Sequence, residues 1–197
     1  MIDVLVRNMI NSIIANNLKA FRQARKWSLT KAAAETNVSK AMLGQIERQE
    51  SSPTIATLWK IAKGFHVPMS ALIEGKLAVL PAKTEQQEQL SKPLISFGNI
   101  EFKVLFAFDP LLCCEMFAHN VKQGKTHLSQ PHEVGVIEDI IVISGTLDVL
   151  IKDHWQSITS GNTLRFNADQ AHGYRNSCAK EVVFHNIIHY PKSVKNQ

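Results

Sequence analysis

Apolar side chains recur at helical spacing through the first third of the chain and at strand spacing through its second half. Leu5, Met9, Ile13, Ile14, Leu18 and Phe21 stand about one helical turn apart, which predicts a helix running to about Lys26. Ser28 suits the N-cap of a second helix, Leu29 to Thr36, because its hydroxyl can accept from an orphan backbone N–H. Asn37 follows, one of the few residues that accepts the left-handed conformation of a tight helix end. Ser39 suits the cap of a third helix, Lys40 to Arg48, and Thr54 that of a fourth carrying Ile55, Leu58, Ile61, Ala62 and Phe65 as its apolar stripe. Pro68 fits the first turn of a short fifth helix ending near Ile73.

From about Ile100 the period changes. Short runs rich in branched and aromatic residues predict strands over Phe102–Phe108, Leu112–Val121, Asp139–Ile143, Thr146–Ile151, Thr163–Phe166, His172–Asn176 and Val182–Tyr190. Turn pairs separate them, among them Asp109-Pro110, Gln123-Gly124, Ser144-Gly145 and Ser160-Gly161. No strong helical stretch interrupts the runs, so an antiparallel sandwich or barrel follows. Between the halves, Pro81, the run Lys83 to Gln89 and Pro93 read as a polar linker. The expected organisation is a helical domain over 1–74, a linker over 75–95 and a β domain over 96–191.

Charge sharpens this division. Of the 22 Lys+Arg and 17 Asp+Glu in the chain, ten and five fall within residues 1–74, so all of the net +5 sits there. A basic domain joined to a neutral one suggests a polyanion partner for the first domain only. Cys113, Cys114 and Cys178 match neither a disulfide framework nor a zinc-finger spacing, and read as small core residues in a reducing compartment. Asp3, Arg7, Asn8 and Asn11 interrupt the apolar N-terminus, which reads as neither a signal peptide nor a membrane span. A cytoplasmic protein with no membrane partner is expected.

Two short helices joined by a tight turn make a helix-turn-helix, whose second helix enters the major groove. The stretch from Trp27 to Ile73 resembles the lambda-repressor-like (XRE) family. The likeness rests on Ala32-Ala33, the turn Asn37-Val38-Ser39, Ile46-Glu47-Arg48, Pro53, the Leu58 to Ala62 stripe and Val67-Pro68. Gln49 departs from the pattern, standing where many such sequences place Gly. The resemblance implies DNA-binding positions at Ser39, Lys40, Ala41, Gly44 and Gln45. Lys40 can donate to guanine or to phosphate, Gln45 can pair bidentately with adenine, and Ser39 can touch phosphate while capping its helix. The resemblance further implies a structural pair between Arg22 and Glu47. Trp27 and Trp59 read as core rather than stacking platforms. Such domains work as dimers on half-sites of double-stranded DNA, so a homodimer is expected.

In the second half, Glu138 lies seven residues before Gly145, and His172 lies four before Asn176, with His132 six before Glu138. These spacings resemble the two signature motifs of the cupin family. That resemblance implies a double-stranded β-helix, or jelly roll, so the fold expected for the whole chain is an α plus all-β two-domain architecture: a five-helix helix-turn-helix domain followed by an antiparallel cupin barrel. The family's second histidine falls at Val134, which cannot bind metal. Three candidate ligands remain, His132, Glu138 and His172, an open set suited to a divalent metal, zinc ahead of iron(II). The alternative is a barrel that has lost its metal.

Arg165, Tyr174 and Asn176 are candidates to line the same cavity and contact a ligand. Arg165 would clamp a carboxylate, or else sits on the strand surface. His185 and His189 share one strand face, and His185 is a fourth ligand-contact candidate beside their reading as structural histidines. The runs NVSKAMLGQIERQESSPTIATLWKIA and IIHYP are similar to bacterial regulators of sulfur utilisation on this two-domain plan, which implies a sulfur-containing amino acid as effector. Competing readings are a thiol dioxygenase-like metalloenzyme fused to a DNA-binding domain, and a DNA binder whose barrel only dimerises. The balance falls on a regulator that is not an enzyme.

Overall fold

The computed structural model describes residues 2–74, 94–97 and 99–191, with the backbone alone for 2–7 and 97. The chain falls into two compact units, Met1–Glu88 and Gln89–Gln197. All described helices lie in the first and all described strands in the second. The linker expected over 75–95 falls mostly outside the described residues, and its last residue, Ile95, opens a strand instead.

In the helical unit, α1 (Ile2–Ala24), α2 (Leu29–Thr36), α3 (Lys40–Glu47), α4 (Ile55–Gly64) and α5 (Ser70–Ile73) follow the expected order. Ser28, Ser39 and Thr54 each accept the backbone N–H three residues on, at 3.1, 3.2 and 3.1 Å. Those contacts satisfy orphan donors that a helix start otherwise leaves to water. Asn37 ends α2 in the left-handed region at φ 52°. Gln49 does so after α3 at φ 61°, which accounts for glycine at this place in related sequences: a side chain here is strained. Gly64 has a different reason. A Cβ there would lie 2.5 Å from the Glu35 carbonyl oxygen, so only glycine lets α4 end against the end of α2.

Leu18, Leu43, Leu58, Ile61, Phe65 and Leu72 form the centre of this unit. The buried stripe of α1 is Ile10, Ile14, Ala15 and Leu18, while Met9 is 49% exposed. The helix is thus rotated from the expected stripe, and Ile13 and Phe21 lie at its margin. Asn17 on the same helix donates to the carbonyls of Leu72 and Glu74 at 3.1 and 2.8 Å, closing the end of α5. Trp27 and Trp59 are half-buried, and Trp27 packs on Phe65 with ring centroids 4.9 Å apart.

The second unit holds β1 (Ile95–Phe97), β2 (Ile100–Asp109), β3 (Cys114–Val121), β4 (Thr126–Ser129), β5 (Ile137–Ser144), β6 (Thr146–Ile151), β7 (His154–Thr159), β8 (Thr163–Asn167), β9 (His172–Arg175) and β10 (Val182–His189). Every pairing among them is antiparallel. One sheet runs β1-β2-β3-β10-β5-β8 and the other β4-β9-β6-β7. The orders β3-β10-β5-β8 and β4-β9-β6-β7 are those of a jelly roll, the cupin plan, with β1 and β2 added at one edge. Strands β1, β4 and β7 were not among the expected runs. Two are very short, and β7 is mostly exposed and polar, so neither length nor alternation marks them.

Register decides what faces inward. Val182, Phe184, Asn186 and Ile188 of β10 are buried, and the residues between them are not. Their partners on β3 are Val121, His119, Phe117 and Glu115, and those on β5 include Val142, Ile140 and Glu138. Of the cysteines, Cys113 and Cys114 are half-buried and Cys178 is exposed, so the expected core role fails for Cys178, which follows the end of β9 on the surface. Among the described residues no helix is long and apolar enough to cross a membrane.

Candidate DNA-binding face and candidate metal centre

The helix-turn-helix consists of α2, the turn through Asn37 and Val38, and α3. Val38 is buried and pins the turn to the core. Ser39, Lys40, Ala41 and Gln45 are exposed along the first turns of α3, where a recognition helix presents its base-reading positions. Gly44 differs: it is buried, and a Cβ there would lie 3.1 Å from Arg48 Nη1 and 3.7 Å from Leu29 Cδ1. Its place is in the packing between α2 and α3 rather than on the open face.

The helix is held from behind by an ion pair. Arg22 of α1 donates from Nε and Nη2 to the two carboxylate oxygens of Glu47 at 2.6 and 2.7 Å, and from Nη1 to the Trp27 carbonyl at 3.0 Å. A two-point pair of this kind fixes orientation as well as distance. The hydrogen bond to Glu47 raises the Arg22 pKa further, against the effect of burial.

Inside the jelly roll, His132, Glu138 and His172 converge, each buried, with their donor atoms within 4.8 Å of one another. Three separate chain segments bring them together: the turn before β5, the inner face of β5, and the start of β9. Val134 is 84% exposed and contributes nothing to the site.

The two oxygens of Glu138 have different duties. Oε2 accepts from the Tyr174 hydroxyl and from Asn186 Nδ2 at 2.9 Å. Oε1 faces both imidazoles, 2.8 Å from His132 Nε2 and 3.3 Å from His172 Nε2. His172 Nδ1 donates to the Gln170 carbonyl at 2.9 Å. A neutral His172 therefore turns its Nε2 lone pair towards a carboxylate oxygen, and that nitrogen is buried without a hydrogen-bond partner.

Two acceptors face to face require either a proton or a cation between them. Burial opposes a charged His172, but Glu138 and the Gln170 carbonyl carry its pKa above the ordinary value. Burial likewise opposes a charged Glu138, yet His172 and His132 hold it well below the usual carboxylate range. Burial and the Glu138 charge push the Tyr174 hydroxyl well up, which keeps it a donor. The donor set fits a divalent metal: two imidazole nitrogens, one carboxylate oxygen, and outer hydrogen bonds that fix the His172 tautomer and the carboxylate plane.

Three of the four proposed ligand-contact residues lie elsewhere. Arg165 points outward from β8, paired to Asp139 at 2.5 and 2.6 Å, because its neighbour Phe166 takes the inward position. His185 lies on the outer face of β10, between inward Phe184 and Asn186. Asn176 is buried but spent on backbone: Nδ2 donates to the carbonyls of Val121 and Lys180 at 2.8 and 2.7 Å, and Oδ1 accepts from Cys178 N at 2.9 Å. Tyr174 alone reaches the site.

The interior also holds polar residues that sequence reading passed over. His119 lies among Phe102, Phe117, Tyr174 and Phe184, stacked on Phe184 at 4.9 Å. His127 pairs in register with Tyr174, on the side that faces inward. Burial lowers His119 to about 3 and His127 to about 4, so both are neutral at ordinary pH. The signal for His119 and Asn186 was a polar residue at an inward position of an otherwise apolar alternation.

A helix-turn-helix family (HTH_3) matches residues 18–72. The chain is similar to the HTH-type transcriptional regulator SutR of Escherichia coli K12, 46% identical over 180 residues that cover 91% of this chain and 96% of that protein. It is similar to a solved HTH_3 family transcriptional regulator from Vibrio cholerae, 40% identical, covering 94% of this chain and 99% of that one with a TM-score of 0.78. A solved Cupin_2 domain of an XRE family regulator from Enterobacter cloacae is 40% identical and covers 47% of this chain and 98% of that one, with a TM-score of 0.46.

Proposed function

The chain belongs to the helix-turn-helix family of transcriptional regulators, and we propose that it is a regulator whose barrel binds a small effector at a metal site and thereby adjusts operator binding. The observation that carries this reading is the convergence of His132, Glu138 and His172, each buried, with their donor atoms within 4.8 Å of one another. A divalent ion, zinc ahead of iron(II), would be held by His132, Glu138 and His172, and would supply open coordination positions to an incoming sulfur, amine or carboxylate. Tyr174 and Asn186 orient Glu138 for that task. The effector class is a sulfur-containing amino acid.

On the DNA side, Lys40, Ala41 and Gln45 face base edges and Ser39 a phosphate, in one protomer of a homodimer bound across two half-sites. For the effector to signal, it must bind one dimer geometry better than another. No catalysis is assigned to the barrel. A native mass measurement combined with elemental analysis tests the metal reading: one divalent ion per protomer in the wild type and none in Glu138→Gln is expected. A wild-type protein that neither retains nor takes up zinc or iron(II) would overturn it. Selection from randomised duplexes tests the DNA reading, which predicts a two-fold-symmetric operator and fails if no sequence is enriched.

A further inference from the structure

Two buried polar side chains inside the barrel have groups that neither the metal triad nor the fold satisfies. Both ring nitrogens of His119 are buried without hydrogen-bond partners, and so is Oδ1 of Asn186. A buried polar atom left unpaired costs free energy, so such atoms are rare unless something else meets them. The amide orientation of Asn186 is fixed by chemistry. Its partner, Glu138 Oε2, can only accept, so Nδ2 must face it and Oδ1 must point elsewhere as an acceptor. His119, kept neutral by burial, offers one acceptor and one donor.

The two residues are neighbours. His119 pairs with Phe184 on the adjacent strand, and Asn186 lies two residues further on along the same inner face. Diagonal positions of this kind stand roughly 7–8 Å apart at the backbone, within the span of one small molecule. Tyr174 joins them to the metal triad, stacking on His119 and donating to Glu138.

We infer that His119 and Asn186 form a second contact point in the barrel, which receives the amine of the ligand whose other end meets the His132–Glu138–His172 group. This rests on the effector reading above. The acceptor nitrogen of His119 and Asn186 Oδ1, on diagonal positions of one inner face, call for a group with two donors. An amine has them, a hydroxyl has one and a carboxylate none.

The test uses the zinc-loaded full chain and two probe pairs that differ by the amine alone: L-cysteine against β-mercaptopropionate, and L-methionine against methylthiobutyrate. Calorimetry, with zinc retention checked on each sample, gives the affinities. For at least one pair the amine-bearing member should bind about tenfold more tightly, the worth of one net hydrogen bond. His119→Phe keeps the aromatic stack and should bring the pair together without changing zinc content, while His119→Gln should retain part of the difference. Equal binding within each pair, or a difference that survives in His119→Phe, overturns the inference and leaves the metal-site effector reading standing. No binding by any of the four compounds overturns both. If His119→Phe does not fold, the wild-type ratios and His119→Gln decide.

Discussion

The two units carry their working polar groups in opposite ways. In the helical unit, Ser39, Lys40 and Gln45 lie in the open on α3, and the buried polar work, the Arg22–Glu47 pair, has its oxygens and guanidinium nitrogens matched. In the β unit the working groups are inside, and several are left unmatched: His172 Nε2, His119 and Asn186 Oδ1. A convex surface that docks on a large polymer can be complete by itself, because water satisfies it until the partner arrives. A concave site that accepts something small has unsatisfied groups built into its walls. That difference is what the proposed division of labour, an outer reading face and an inner ligand site, would require.

The contrast can be broken, beginning where the effect should be largest. Glu47→Ala leaves a part-buried guanidinium without its partner and should cost about 3 kcal/mol in urea unfolding, with loss of DNA binding following from the fold. A cost under about 1 kcal/mol would mean that the pair is ornamental and that packing alone positions α3. Tyr174→Phe removes a donor from Glu138 without touching a metal ligand, and should weaken metal affinity by about 10–100-fold. A competitive chelator titration that finds no change would detach Tyr174 from the site.

Gln45→Ala should lose roughly 1–3 kcal/mol of operator binding at particular base positions while sparing random DNA. A uniform loss would place Gln45 on the backbone instead. Gln49→Gly relieves a left-handed side chain and should stabilise the protein by about 1 kcal/mol, read from the unfolding midpoint. Smallest of all, Arg165→Ala removes an exposed pair on the outer sheet face and should leave metal content and ligand affinity where they were; a large loss of either would return Arg165 to the site.

Most of the architecture was legible because its signals are local. Ser28, Ser39 and Thr54 announce helix starts, Asn37 a helix end, and the change of period near Ile100 the second fold. His132, Glu138 and His172 were candidates through the resemblance to the cupin motifs, and the structure brings the three together. The ligand-contact residues were less so, because membership of a strand says nothing about direction until its neighbours are fixed. Arg165 adjoins Phe166 and His185 adjoins Phe184, and in a strand only one of each pair can face the core. Had Glu138 been used to set the phase of β5, its outward neighbour Asp139 would have marked Arg165, its cross-strand partner, as outward too. His127 was hidden for another reason: its four-residue strand is too short to show alternation.

The central claim, that an interior site governs an exterior reading face, is tested most directly by operator affinity. Fluorescence anisotropy on a selected operator would compare the zinc-loaded chain with and without saturating L-cysteine or L-methionine, using Glu138→Gln as the site-dead control. The account predicts a shift of about tenfold or more in operator affinity with at least one of these ligands, absent in Glu138→Gln and absent on random DNA. Operator binding that is the same with and without metal and with each ligand would contradict it, and would leave the barrel a dimerisation module.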